Sequence, residues 1–151
     1  MAKLHYLTVQ DILWINLQTT KKVQHFSHAR LEEATFYQYA YGDSQELLDQ
    51  AGRFLAGFVR MRPLDAGVEA TAFVALATFL RINHVDLRLD DAGADAWFRD
   101  AAASTERARE ALAETVQTDE NPHHDARPDV RAAVRAIMEC FPQSLAALSA
   151  T

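Results

Sequence analysis

Arg62-Pro63-Leu64-Asp65-Ala66-Gly67, running straight on into Val68-Glu69-Ala70-Thr71-Ala72-Phe73-Val74-Ala75-Leu76-Ala77-Thr78-Phe79-Leu80-Arg81-Ile82, carries the strongest structural signal in the chain. Pro63 cannot continue a helix reaching it from the N-terminal side, and the residue before a proline is pushed out of the helical region. Gly67 allows a tight turn after Pro63. From Ala66 or Gly67 to Ile82 the residues are apolar almost all round, the pattern of a helix at the centre of a fold rather than on its surface.

Outward from this loop, the spacing predicts a helix from about Gln45 to Arg60, with Leu47, Leu48, Ala51, Phe54, Leu55 and Phe58 on one side and Ser44 as its cap. Nearer the N-terminus, Thr8 and Asp11 form a capping-box pattern. Val9, Ile12, Leu13, Asn16 and Leu17 then follow helical spacing, and Asn16 is the one polar member. Lys21 to Ser27 reads as a loop and Ala29 to Glu33 as a short helix. Thr35 to Tyr41 is aromatic and extended in character, ended by Gly42-Asp43-Ser44. On the C-terminal side, Val85 to Asp90 alternates apolar and polar like a short half-buried strand. Asp91 to Thr118 predicts one or two helices and Asp119 to Asp125 a loop. Pro128 is placed to open a helix at its first turn, running to about Cys140. Pro142 stops that helix, and a short terminal one follows.

Composition agrees with an all-helical domain. Among 151 residues there are 27 alanines but only 5 glycines and 4 prolines, a helix-favouring balance. One domain over 1–151 is expected, with no internal repeat. The net charge of −6 argues against a nucleic-acid partner, which calls for a basic face. The longest uncharged stretches, Ala70 to Leu80 and Phe141 to Thr151, have 11 residues each, against about 20 for a membrane span. No membrane association is expected. The lone Cys140 excludes an internal disulfide and reads as a buried, inert thiol in a reducing compartment. Asp11 interrupts the N-terminus before an apolar run forms, so no signal peptide is visible and the cytoplasm is the expected compartment.

The layout of Arg62 to Ala72 resembles the signature loop of the Fic/Doc (death-on-curing) family. That signature runs His-Pro-Phe, a variable residue, Asp or Glu, Gly or Ala, Asn, Gly or Lys, Arg, often Thr-Ala. Pro63, Gly67, Thr71 and Ala72 match it without a gap. Phe79-Leu80-Arg81-Ile82-Asn83 is similar to the family's Phe-Leu-Arg-x-Asn, and the strand-like Asp86 to Leu89 stands where the family has a strand. His5 to Leu13 is similar to the opening of Doc-type proteins, and Leu31 to Phe36 to the segment leading into the family's flap. The resemblance covers about residues 4–100. It implies a Fic/Doc-like all-α domain with a central apolar helix and one short β-hairpin or extended flap. Residues 101–151 form a helical extension that either covers the site or makes a dimer surface.

The departures from the signature fall on its chemistry. The family's general base, a histidine, is replaced by Arg62, whose guanidinium does not deprotonate in proteins. The metal-binding carboxylate falls on Ala66, with Asp65 one residue early. The phosphate-binding asparagine falls on Val68, the glycine or lysine on Glu69 and the arginine on Ala70. Loss of the charge-neutralising groups removes the main term in phosphoryl-type transfer. The degenerate loop Arg62, Pro63, Leu64, Asp65, Ala66, Gly67, Val68, Glu69, Ala70 thus implies a chain without the family's nucleotide transfer. A protein partner, as in a toxin–antitoxin relative, is expected, and no cofactor or metal. A homo-oligomer is compatible with this.

Two readings of single features stay open. Gly67 at a helix start, with Arg62 near, offers a possible anion-binding site, although Glu69 would repel phosphate. A rebuilt transferase would use Asp65 in a shifted register, a histidine among His25, His28 and His84, and ATP with Mg²⁺. Phe36, Tyr37, Tyr39 and Tyr41 read first as packing; exposure of Tyr39 and Tyr41 would make them a partner-binding flap. A helical domain of unrelated kind would lack two long helices flanking Arg62 to Gly67. His123-His124-Asp125 lacks the spacing of zinc ligands and reads as a solvated loop; His25 and His28, spaced i, i+3 with Glu32 near, come closer to a ligand pattern but read as ordinary loop histidines. No phosphate-loop, dinucleotide or serine-nucleophile motif occurs. Glu106, Arg107, Arg109, Glu110 and Glu114 read as a solvated, salt-bridged helix face.

Overall fold

The computed structural model describes residues 4–39, 46–118 and 128–149. Thr8 caps α1 (Val9–Thr20): its Oγ1 accepts from Asp11 N at 3.1 Å and its own N–H donates to Asp11 Oδ2 at 2.8 Å, the reciprocal box expected. Ser27 caps α2 (His28–Phe36). Two 15-residue helices follow, α3 (Leu47–Met61) and α4 (Val68–Ile82), flanking the Arg62 to Gly67 loop. Ser44 lies outside the described residues, and Glu46 occupies the N-cap position of α3 without a side-chain bond.

Every residue of α4 except Glu69 and Arg81 is buried. The all-round apolar sequence therefore does what it implies: α4 is the axis, and α1, α3, α7 and α8 pack around it. Phe54 and Phe58 of α3, Phe73 and Phe79 of α4, and Phe98 of α5 form the aromatic centre, with Phe73 edge-on to Phe98 and to Phe141.

After α4, His84 takes a left-handed conformation (φ 66°) and the chain enters β1 (Val85–Leu87). Then come α5 (Asp91–Ala101), α6 (Thr105–Thr115) and β2 (Val116–Thr118). β2 pairs antiparallel with β1, Asp86 opposite Gln117. This second strand has no local signature, because its partner lies some thirty residues earlier. The charged face of α6 is as expected: Arg107 bonds Asp100 and Glu110, and Arg109 pairs with Asp49 and Glu46 of the α3 entry. The Arg107 guanidinium holds the Asp100 carboxyl below the usual carboxylate range.

Three expectations are corrected. Thr35 and Phe36 are helical and Tyr37 to Tyr39 turn, rather than being extended. Gln38 is the cause: its buried Nε2 donates to Leu7 O and Thr35 O, and its Oε1 accepts from Leu7 N, so a long-range clamp fixes the turn. Pro128 precedes α7 (Val130–Cys140) instead of opening it, because Asp129 is the N-cap and accepts from Ala132 N at 3.0 Å. Cys140 is exposed. It is the last residue of α7. α8 (Pro142–Ser149) then begins at the proline that ends α7 and docks on α5, where Asp91 accepts from the N–H groups of Gln143 and Ser144. Among the described residues no helix is long and apolar enough to cross a membrane.

Candidate functional site

Helix α3 ends at Arg62, which adopts φ 44°, its N–H bonded to Phe58 O at 3.2 Å. Pro63 and Leu64 are buried; Asp65 and Ala66 are exposed. The backbone of this loop meets the segment between α1 and α2: Leu64 bridges Phe26 antiparallel, and Asp65 N–H donates to His25 O at 3.1 Å. The extended stretch lying against the loop is thus Gln24 to Phe26. Of the aromatic segment where the flap was expected, the described residues pack elsewhere: Tyr39 against Tyr6 and Phe36, and Tyr37 against Gly57.

Gly67 (φ 74°) is the N-cap of α4. A side chain there would be strained by φ, and its Cβ would overlap Thr20 Cγ2 and sit 3.2 Å from Asn16 Nδ2. The C-terminal turn of α1 therefore closes over the start of α4. Asn16, the polar residue on the apolar stripe of α1, is the tie. Its Nδ2 donates to Ala66 O and to Thr71 Oγ1, both at 3.0 Å, and Thr19 Oγ1 lies 3.2 Å from Thr71 Oγ1. A buried amide with its donors satisfied by loop and helix fixes the register between them.

The first turn of α4 also takes up the loop's charge. Arg62 Nη1 bonds Glu69 Oε1 at 2.7 Å, and Glu69 is the less exposed partner, at 18%. The cation that would meet a phosphate is neutralised within the chain, and a carboxylate stands beside the helix start. Val68 and Ala70 are buried in the core. These residues do not fit a nucleotide with Mg²⁺: no side-chain donor replaces the family's asparagine or arginine, and Glu69 opposes the charge. Among the described residues no cluster of three or more His, Cys, Asp or Glu side chains suits a metal ion.

The histidines are spread apart. His84 follows the far end of α4, roughly 22 Å from Gly67 at 1.5 Å per residue over the 15-residue helix. That is beyond the reach of a base acting at the loop. His28 sits in the first turn of α2, with Nε2 3.8 Å from Glu32 Oε2, both exposed. Of these three histidines, His25 is brought to the loop, through its backbone. His123, His124 and Asp125 lie outside the described residues.

The aromatic group divides. Tyr37 is half-buried and packs on Gly57, where a Cβ would approach its ring to 2.5 Å. Phe36 is 51% and Tyr39 38% exposed, their rings 5.8 Å apart, with Tyr39 4.2 Å from the ring of Tyr6. The packing expectation thus fails for Phe36 and Tyr39. Tyr41 lies outside the described residues. Partial burial and the neighbouring Tyr6 push the Tyr39 hydroxyl pKa up.

Two hollows lie outside the loop's own residues. A cleft of about 470 Å³ at the C-terminal end of α4 is lined by His5, Arg81, His84, Asp86 and Asp129. A second, of about 400 Å³, is lined mainly by apolar residues of α1 and the segment after it. The exposed side chains of Val23 and Phe26 were a signal for the latter, set in a stretch that otherwise reads as polar loop.

No protein-family model, curated protein or solved structure matches this chain.

Proposed function

We propose that this chain is a catalytically degenerate Fic/Doc-like protein that acts by binding another protein. The observation that carries the reading is the 2.7 Å bond between Arg62 and Glu69. It spends the loop's cation internally and leaves a carboxylate where transferred phosphate would need neutralising charge. The exposed pair Phe36 and Tyr39 supplies a partner surface, since aromatic side chains presented to solvent side by side are the usual anchors of protein contacts.

The test compares the native chain with the Phe36→Ala, Tyr39→Ala double variant, immobilised and exposed to host-cell extract. A discrete partner retained by the first and lost by the folded second is expected. In parallel, incubation with labelled Mg²⁺-nucleotides should transfer no label to any protein. Label transfer that falls when the loop is mutated would overturn the proposal.

One observation favours a second reading, a rebuilt transferase acting on a protein hydroxyl with ATP and Mg²⁺. The Asp65 N–H to His25 O bond joins a histidine and an aspartate through the backbones of adjoining loop segments, two residues before Gly67 in the chain. On this reading His25→Ala and Asp65→Ala would each lower label transfer by about 10²-fold or more, the scale of a lost general base.

A further inference from the structure

The apolar hollow beside α1 has the make-up of a ligand site; it shares Asn16 and Phe26 with the support of the loop and is separate from the Phe36–Tyr39 surface. Leu13, Trp14, Leu17, Val23 and Phe26 are the apolar members of its lining. Val23 is 88% exposed, and Leu17 and Phe26 38% each, so three of these apolar side chains face solvent. Its volume of about 400 Å³ falls within the range of small-molecule sites, which are mostly apolar with a few polar groups fixing orientation.

The charges at its edge all have one sign. Lys22 and Arg131 are the charged residues of the lining. The Arg131 guanidinium lies 4.9 Å from the centre of the Trp14 ring, with Arg135 over the same ring at 6.0 Å. None of the three side chains has an ion-pair partner among the described residues, in a chain whose net charge is −6. Elsewhere among the described residues, Arg62, Arg81, Arg99, Arg107 and Arg109 face carboxylates, whereas Arg30, Arg60 and Arg88 do not. Unpaired cations in the lining of an apolar trough suit a molecule with an alkyl body and an anionic head. A guanidinium held against an aromatic face keeps its edge donors free for a carboxylate.

We propose that this groove binds a linear amphiphilic carboxylate, its chain along Leu13, Leu17, Val23 and Phe26 and its head held by Arg131 and Lys22. Burial of each methylene then tightens binding by about fourfold. The head contributes about 10- to 100-fold over an uncharged analogue, the scale of a charge-assisted hydrogen bond.

Titration calorimetry of the full chain with hexanoate, octanoate and decanoate, below their micelle-forming concentrations, tests this. Decanol and decyltrimethylammonium serve as head-group controls. Expected are an affinity rising with chain length, decanoate binding at least 10-fold tighter than decanol, and no binding of the cation. Arg131→Ala should cancel the advantage over decanol and Arg131→Lys restore part of it. Val23→Asp, at a position too exposed to affect folding, should weaken all chain lengths. Equal affinity for the three head groups, or no dependence on chain length, would overturn the proposal. So would no binding of decanoate at millimolar concentration, the result expected if the groove instead takes a protein segment. Because Phe36 and Tyr39 do not line the groove, loss of their partner surface would leave these titrations unchanged.

Discussion

Arg62 and Glu69 are seven residues apart and belong to different elements, yet Arg62 Nη1 sits 2.7 Å from Glu69 Oε1 across the turn that joins them. The pair exists because Arg62 leaves α3 in a left-handed conformation while Gly67 starts α4 in another, folding the loop back on itself. Its stabilising value is small, since Arg62 is 56% exposed. The pair also means that the loop presents a neutral pair in place of a free cation.

Glu69→Gln separates the two effects. The loss of stability should be no more than about 1 kcal/mol, a fall in melting temperature of roughly 2–4 °C for a domain of this size. Phosphate or sulfate should then stabilise the variant more than the native protein, since Arg62 is released and the opposing charge removed. Equal salt responses in differential scanning calorimetry would show that Glu69 does not govern anions at this loop.

Asn16 should be costly to replace. Asn16→Leu keeps the bulk but leaves Ala66 O and Thr71 Oγ1 without their donor, at about 1–3 kcal/mol. Urea unfolding measures it directly. A change under about 0.5 kcal/mol would mean that water replaces the amide and that Asn16 does not anchor the loop.

Gly67→Ala meets two obstacles, the φ of 74° and the methyl of Thr20. Backbone strain alone is about 1–3 kcal/mol. Combined with Thr20→Ser, which deletes that methyl, the substitution should recover the part due to overlap and retain the part due to φ. A double variant no better than Gly67→Ala alone would remove Thr20 from the explanation.

Tyr39 links the proposed partner surface to pH. Its folded pKa is raised by burial and by Tyr6, so its contribution to stability is intact below the unfolded value of about 10 and is lost as pH rises through the folded one. Between pH 9 and 11 the native chain should lose more stability than Tyr39→Phe, as read from urea midpoints. Parallel losses would place the titrating group elsewhere.

Much of the helical frame was legible locally. The Thr8–Asp11 box, the Pro63 break and the apolar run of α4 each depend on neighbours within a few residues, and each stands where expected. What could not be read depends on distant partners. Gln38 makes a turn of an aromatic stretch through Leu7, 31 residues away. β2 exists only against β1. At the candidate site, the charge mismatch of Glu69 was visible in the loop's sequence. Its pairing with Arg62 needed the two left-handed residues, and the cover provided by Thr20 needed α1 laid against α4. Asn16 was marked only as a polar residue on an apolar stripe, which is the trace such a tie leaves in a sequence.

The most direct test of the proposed degenerate loop is thermal unfolding of the full chain with and without Mg²⁺, at millimolar ATP, GTP, UTP, CTP and ADP. No shift is expected with any of them. A ligand at 100 times its Kd stabilises by about 2.7 kcal/mol, which for a domain of this size raises the melting temperature by roughly 5–10 °C. A rise of that size, selective for one nucleotide and lost in Gly67→Ala, would contradict a degenerate loop and bring the transferase reading forward.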